Sequence, residues 1–314
     1  MSRDAFTHDP QDSNDSRDTS TRRFVRHPRP TSSDTQDGRN PAPEAPRRDD
    51  STEVREQQSS LEERSASPRA YHVRDRAYLL RDSEMHSLKE IGKFRVIAVS
   101  DLAKYAYGGD RERMQKGIRD LARQSLVTDK TVETSQKKTL RVVTLTKAGH
   151  RLLRKTNQLP DDQPIYHGLL KPREVKHDAD LYRLYQKEAA RIEHGGGRPV
   201  RVLLDYELKR NLNRDLALLG QDKDDPDRKN QVAEKHRLQV VNGKIPVPDL
   251  RVEYETPDLE LHHVDLELAT RDYRPQTVAE KAAAGFTLYG RSEDASRLRR
   301  VLDERDITSG ILTL

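Results

Sequence analysis

Residues 99–145 read VSDLAKYAYGGDRERMQKGIRDLARQSLVTDKTVETSQKKTLRVVTL, and this stretch decides the fold of the chain's first ordered part. Apolar residues recur at helical spacing on both sides of Gly108-Gly109, which predicts two helices separated by a turn. Asp110 follows the glycines as a candidate N-cap for the second of them. An apolar stripe over residues 88–94 predicts one more helix in front, so the expected order is helix, helix, turn, helix.

The ends of these helices carry further signals. Ser100 and Asp101 are candidate N-caps of the middle helix. After the last helix, residues 126–128 (LVT) and 140–145 (LRVVTL) flank the polar segment ETSQKK, which predicts two strands joined by an exposed loop. Thr146 then opens an amphipathic helix, TKAGHRLLRK. The helices and the hairpin together make one small domain, which we bound at residues 71–155.

This element order, with a Lys-rich hairpin tip and the segment Leu145-Thr146-Lys147-Ala148-Gly149, resembles winged helix-turn-helix domains of bacterial regulators. The resemblance implies that the third helix enters the major groove and that the hairpin, the wing, touches the backbone of double-stranded DNA. Winged helices also serve as protein-docking modules, but the basic polar face of the third helix favours DNA. The DNA-binding candidates are Arg111, Arg113, Gln115, Lys116, Arg119 and Arg123 on the helix, with Lys137 and Lys138 on the wing.

The amino-acid composition limits the class of protein to which the chain can belong. Charged residues make up 35% of the 314 residues and apolar residues 32%, which predicts a long stretch that buries nothing. Residues 1–70 are rich in Asp, Ser, Arg, Pro and Thr, and we expect them to be a disordered tail that acts as a solvated spacer. The net charge of +5 is compatible with a polyanionic partner. There is no cysteine, no signal-peptide pattern and no long apolar run, so we expect a cytoplasmic protein without a membrane segment.

A Pro-containing linker is expected over residues 156–176, and a second domain over residues 177–314. Its patterns predict a long helix, a strand, a charged insertion, two strands and a helix over PQTVAEKAAAGFTLY, then a last helix and a terminal strand or tail. This order predicts a mixed sheet flanked by helices, so the fold class of the chain combines α/β and α+β features.

Two acidic residues in the predicted sheet are candidates for a metal site. Asp249 begins one strand, and Glu267 lies in the next, with Asp265 on the same face because strand side chains alternate. Paired carboxylates on adjacent strands can share Mg²⁺, a hard cation that prefers oxygen ligands and suits phosphodiester hydrolysis. The adjacent His262 and His263 are expected to be solvated rather than metal-binding.

The order helix, strand, Pro248-Asp249 strand, acidic strand, helix resembles the PD-(D/E)xK nuclease superfamily, with its restriction-endonuclease-like sheet. The whole chain resembles the replication-relaxation proteins of plasmids and mobile elements, which join a winged helix to such a domain. The resemblance implies that Asp249 and Glu267 bind the metal and that Lys281 on the following helix completes the catalytic set. Glu188 on the preceding helix is a candidate for a third metal ligand or a water-positioning group. Ala269 departs from the pattern, since an active enzyme carries its lysine two residues after the acidic one.

These features are consistent with three functions. The preferred hypothesis is a DNA-binding accessory or regulatory protein of a mobile element, acting in plasmid replication, relaxation or gene control. The alternatives are a metal-dependent endonuclease that uses Asp249, Glu267 and Lys281, and a scaffold that docks a relaxase or replication protein. Because Ala269 stands at the usual position of the catalytic lysine, an inactive nuclease fold and an active one both remain alternatives.

Overall fold

The computed structural model describes residues 67–134, 138–168, 172–220, 225–270, 273–304 and 311–314, all of which belong to one compact unit. The expected disordered tail lies outside the described residues up to residue 66. We call residues 69–155 the helical part and residues 172–314 the sheet part. The elements of the helical part are β1 (Arg69–Val73), β2 (Arg76–Leu80), α1 (Asp82–Lys93), β3 (Ile97–Ala98), α2 (Val99–Ala106), α3 (Arg111–Arg123), β4 (Val127–Glu133), β5 (Thr139–Leu145) and α4 (Lys147–Lys155).

The predicted helix starts of the helical part are confirmed in two cases. Asp110 accepts a hydrogen bond from the backbone N–H of Arg113 and caps α3, and the Thr146 hydroxyl accepts from two N–H groups of α4. The prediction for α2 was wrong, because this helix begins at Val99 and puts Ser100 and Asp101 inside its first turn. Asp101 instead forms a salt bridge with Arg183, a residue of the sheet part.

A three-stranded antiparallel sheet with the order β3-β5-β4 closes the helical part. The β4–β5 hairpin confirms the predicted pair of strands. The hairpin of β1 and β2 was not predicted. It is fastened to the end of α3 by the side-chain amide of Gln124, which bonds both the N–H and the carbonyl of Leu79, as a neighbouring strand would.

The sheet part is mixed α/β. Its elements are α5 (Pro172–His194), β6 (Arg198–Leu204), α6 (Asp205–Leu218), α7 (Pro226–Lys235), β7 (Leu250–Glu255), β8 (Leu261–Ala269), α8 (Pro275–Ala283), β9 (Thr287–Gly290), α9 (Ser292–Asp303) and β10 (Ile311–Thr313). The strands lie in the order β10-β9-β8-β7-β6. Strands β6, β7 and β8 pair antiparallel, whereas β8, β9 and β10 pair parallel.

Two boundaries differ from the predictions. Helix α5 begins at Pro172, inside the expected linker. The predicted helix over residues 275–289 ends at Ala283, because Gly285 takes a left-handed φ of 82° and turns the chain into the parallel strand β9. Strand β9 is only four residues long and is buried, so it lacks the polar–apolar alternation that marks a half-exposed strand.

The helical and sheet parts share one hydrophobic core. Tyr182 of α5 packs edge-on against Phe94, with ring centroids 5.2 Å apart, and against Tyr105 at 6.0 Å. The buried side-chain amide of Gln163, in the connecting segment, bonds both the N–H and the carbonyl of Val202 on strand β6. None of the described helices has the length and apolar character needed to cross a bilayer.

Candidate functional site

Helix α3 presents a basic surface to solvent. Its apolar face, formed by Met114, Ile118 and Leu121, is buried in the core of the helical part. The opposite face carries every DNA-binding candidate that the sequence placed on this helix, and each of these side chains is exposed: Arg111, Arg113, Gln115, Lys116, Arg119 and Arg123. The amphipathic spacing of α3 therefore directs a row of cations outward.

The cations of α3 form few salt bridges or hydrogen bonds with the rest of the described chain. Arg123 pairs with Asp120 at 3.2 Å, one turn earlier on the same helix. Within the described residues, no side-chain hydrogen bond or salt bridge holds Arg111, Lys116 or Arg119. Long cationic side chains without internal partners keep their charge available to an external anion.

Gly117 sets how closely α3 approaches the helices behind it. A Cβ at this position would lie 2.4 Å from the hydroxyl oxygen of Tyr107, a distance that real side chains do not show. That hydroxyl bonds Ser87 of α1 at 2.9 Å, so a larger residue would separate α3 from α1. The glycine thus helps to fix the position of the basic surface.

The β4–β5 hairpin stands beside α3, as the sequence predicted for a wing. Lys138 is exposed near its tip, while Lys137 lies outside the described residues. On the strands, Arg141 holds Asp129 through both carboxylate oxygens, with one contact at 3.0 Å. A groove of about 160 Å³ separates the hairpin from the helix and is lined by Gln115, Ile118, Arg119, Ala122, Asp129 and Arg141.

A separate acidic site lies in the sheet part. The structure brings Asp249, Glu267 and Lys281 together, although 18 residues separate the two acids in sequence. The Lys281 amine lies 2.8 Å from Oε1 of Glu267 and donates a hydrogen bond to the Val247 carbonyl at 2.6 Å. The backbone N–H of Asp249 donates to Oε2 of Glu267 at 3.1 Å. We call Asp249 and Glu267 the acidic pair.

Two residues that the sequence did not single out complete this arrangement. Nε2 of His177, at the start of α5, lies 3.3 Å from Oδ2 of Asp249, and its Nδ1 lies 3.5 Å from Oδ1 of Asp178. The Tyr273 hydroxyl donates to Oε1 of Glu267 at 2.9 Å. His177 stands in a helical pattern far from the acidic strands in sequence, so no local signal pointed to it.

Charge and burial shift the protonation of these groups. Burial alone would lower the pKa of His177, but the carboxylates of Asp178 and Asp249 outweigh it and raise this pKa to about 10. Burial would raise the pKa of Asp249, but contact with His177 lowers it. Burial and then the charge of Asp249 raise the pKa of Glu267, against the opposing effect of Lys281.

The helical part reaches the edge of this site through Arg95. Its guanidinium lies 3.8 Å from Asp178 and 3.9 Å from Asp205, and it stacks over the Tyr206 ring at 5.0 Å. The backbone N–H of Asp205 in turn donates to the carbonyl of Asp249 at 3.0 Å. Arg95 lies far from these residues in sequence, and no pattern indicated the contact.

The other acidic residues that the sequence singled out make different contacts. Glu188 is buried and accepts hydrogen bonds from Arg191 and Tyr289, not from a group that contacts Asp249 or Glu267. Asp265 forms a buried salt bridge with Arg251. Ala269 packs in one hydrophobic cluster with Val278 and Ala282 of α8, the helix that supplies Lys281. The small side chain allows α8 to lie against the sheet.

The expected Mg²⁺ can be tested against these donors. Mg²⁺ requires near-octahedral oxygen ligands, usually one or two carboxylates with water in the other positions. Both oxygens of Glu267 and one oxygen of Asp249 already accept hydrogen bonds from the chain's own groups. Among the described residues, no group of three or more His, Cys, Asp and Glu side chains is placed to hold a metal ion. This arrangement leaves one carboxylate oxygen of Asp249 and Glu267 without a hydrogen bond from the chain's own groups, and so few oxygens for Mg²⁺.

Comparisons with known proteins add little to this picture. No protein-family model matches the chain, and no curated protein matches it. One similar solved structure is that of Bacillus subtilis PadR in complex with operator DNA, at 15% sequence identity and a TM-score of 0.22. The match covers 50% of this chain and 93% of the PadR chain. A TM-score of this size does not establish a shared fold.

Proposed function

We propose that this chain is a regulatory protein that binds double-stranded DNA through α3 and the β4–β5 hairpin, used as a winged helix. The observation that carries the proposal is the exposed row of cations on α3 beside the hairpin. An α-helix fits the major groove of B-DNA, and arginine, lysine and glutamine are suited to phosphates and base edges. The role in plasmid replication, relaxation or gene control, with a relaxase or replication protein as partner, follows from the resemblance to replication-relaxation proteins.

The test measures the affinity of the full chain for a mixed-sequence duplex by fluorescence anisotropy over a range of salt concentrations. Each lost phosphate contact reduces the slope of log K against log salt by about one unit. Arg119→Ala and Lys116→Ala should therefore weaken binding and flatten the slope. Arg300→Ala removes the same charge from an exposed position on α9 and should change neither. Equal effects of all three variants would show that only net charge matters, and the proposed surface would be wrong.

Metal-dependent cleavage is the second candidate, and the approach of Lys281 to Glu267 favours it. The engaged carboxylate oxygens count against it. Supercoiled plasmid incubated with the protein and Mg²⁺ or Mn²⁺ tests this function. Nicking that disappears in the Asp249→Ala, Glu267→Ala double variant would establish it, and nicking that persists there would assign the activity to another site or to a contaminant.

A further inference from the structure

Most carboxylate oxygens of the acidic pair already have partners within the chain. Oε1 of Glu267 accepts from the Tyr273 hydroxyl and lies against the Lys281 amine, and Oε2 accepts from the backbone of Asp249. Oδ2 of Asp249 accepts from the backbone N–H of Leu268 at 3.0 Å and faces His177. Three of the four carboxylate oxygens are thus bound by groups of the chain itself.

Two cationic side chains stand directly beside the acidic pair. His177 has a carboxylate beside each ring nitrogen, Asp249 at Nε2 and Asp178 at Nδ1, so both nitrogens have partners only when both carry a proton. The imidazole is then a cation, as is the amine of Lys281. These two cations face the carboxyl groups of Asp249 and Glu267 in a place where Glu267 is 1% exposed, and Asp178 also faces Arg95 at 3.8 Å.

We propose that His177 and Lys281 together occupy the place of a divalent cation, so that the acidic pair serves as a structural ion cluster and binds no metal. A dication entering here would have to displace Lys281 from both Glu267 and the Val247 carbonyl. The cluster joins α5, the residue that precedes β7, strand β8 and helix α8. This inference concerns the sheet part and is independent of the proposed DNA-binding function.

The first test is direct metal binding by the full wild-type chain, followed by the electron paramagnetic resonance signal of free Mn²⁺. The proposal predicts that the signal of sub-millimolar Mn²⁺ is unchanged by the protein. Binding that is lost in Asp249→Asn would overturn the proposal, because it would place the ion on the acidic pair. Binding that survives in Asp249→Asn would support it, because the ion would then lie elsewhere.

The second test removes the internal cation. Lys281→Met should lower the Tm by roughly 5 to 15 °C, because one buried charge is left without its partner, and millimolar Mn²⁺ should recover part of the loss. The wild-type Tm should be the same in Mn²⁺ and in EDTA. Lys209→Met is the matched control, since its amine pairs with Asp205 at an exposed position beside the site. A wild-type Tm that rises with Mn²⁺ and falls with EDTA would contradict the proposal even if Lys281→Met does not fold.

Discussion

The surface of α3 and the acidic site both contain several charged side chains, but they use them in opposite ways. On α3 the cations are exposed, and most have no internal partner among the described residues. At the acidic site and the neighbouring strands, three cations are partly or wholly buried, and each contacts a carboxylate: Lys281 with Glu267, His177 with Asp249, and Arg251 with Asp265. Exposed unpaired charge is available to a polyanion, whereas buried paired charge stabilises the fold only while both partners remain.

The largest expected effect comes from breaking a buried pair. Arg251 is 4% exposed and bonds Asp265 together with the carbonyls of His236 and Arg237. Asp265→Ala should lower the free energy of unfolding by about 3 to 5 kcal/mol, measured by urea denaturation, because it leaves a buried cation uncompensated. Asp129→Ala removes the carboxylate of a similar pair whose Arg141 is 46% exposed, and should cost less than about 1 kcal/mol. Similar losses in both variants would remove the distinction between the two regions.

The second-largest effect is expected on the affinity for duplex DNA. The triple variant Arg113→Ala, Lys116→Ala, Arg119→Ala should bind duplex DNA roughly 100-fold more weakly at about 0.1 M salt, with a Tm close to that of the wild type. The control triple variant changes Arg210, Arg214 and Arg300, three exposed arginines of α6 and α9, to alanine and should keep most of the affinity. A loss of similar size in the control would show that binding does not depend on α3.

A smaller effect is expected from pH. The pKa of His177 is raised from 6.5 to about 10, so its contribution to stability is complete below pH 6.5 and is lost as the pH rises through 10. Because the side chain is 32% exposed, we expect a loss of roughly 1 to 3 kcal/mol over that range. Urea denaturation of the wild type and of His177→Gln from pH 6.5 to 10 measures the difference. Parallel pH profiles would contradict the ion pair.

The smallest effect concerns the caps of two helices. Asp110→Ala removes the cap of α3, and Asp225→Ala removes the matching cap of α7 in the sheet part. Each should cost about 1 kcal/mol of stability by urea denaturation. Only Asp110→Ala should also weaken DNA binding, because it loosens the first turn of α3, which carries Arg111 and Arg113. Equal binding by the two variants would place the first turn outside the interface.

The sequence predicted well those features that depend on neighbouring residues. The cap at Asp110, the strands around the polar ETSQKK segment and the outward cations of α3 all follow from spacing within a few turns or one hairpin. The failures concern elements whose identity depends on distant partners. The segment Thr287–Gly290 is a strand because β8 and β10 lie on either side of it. Nothing in the four residues Thr-Leu-Tyr-Gly distinguishes a short buried strand from the end of a helix.

The two candidate sites also differ in whether neighbouring or distant residues determine them. The amino-acid sequence by itself determined the basic face of α3, because helical periodicity alone decides which side chains point away from the core. It also indicated Asp249 and Glu267, whereas Lys281 was implied only by the family resemblance. Only the tertiary structure decided that His177 and Lys281 neutralise the two acids, because the free energy of a buried charge depends on which groups surround it. Those groups come from segments that only folding brings together.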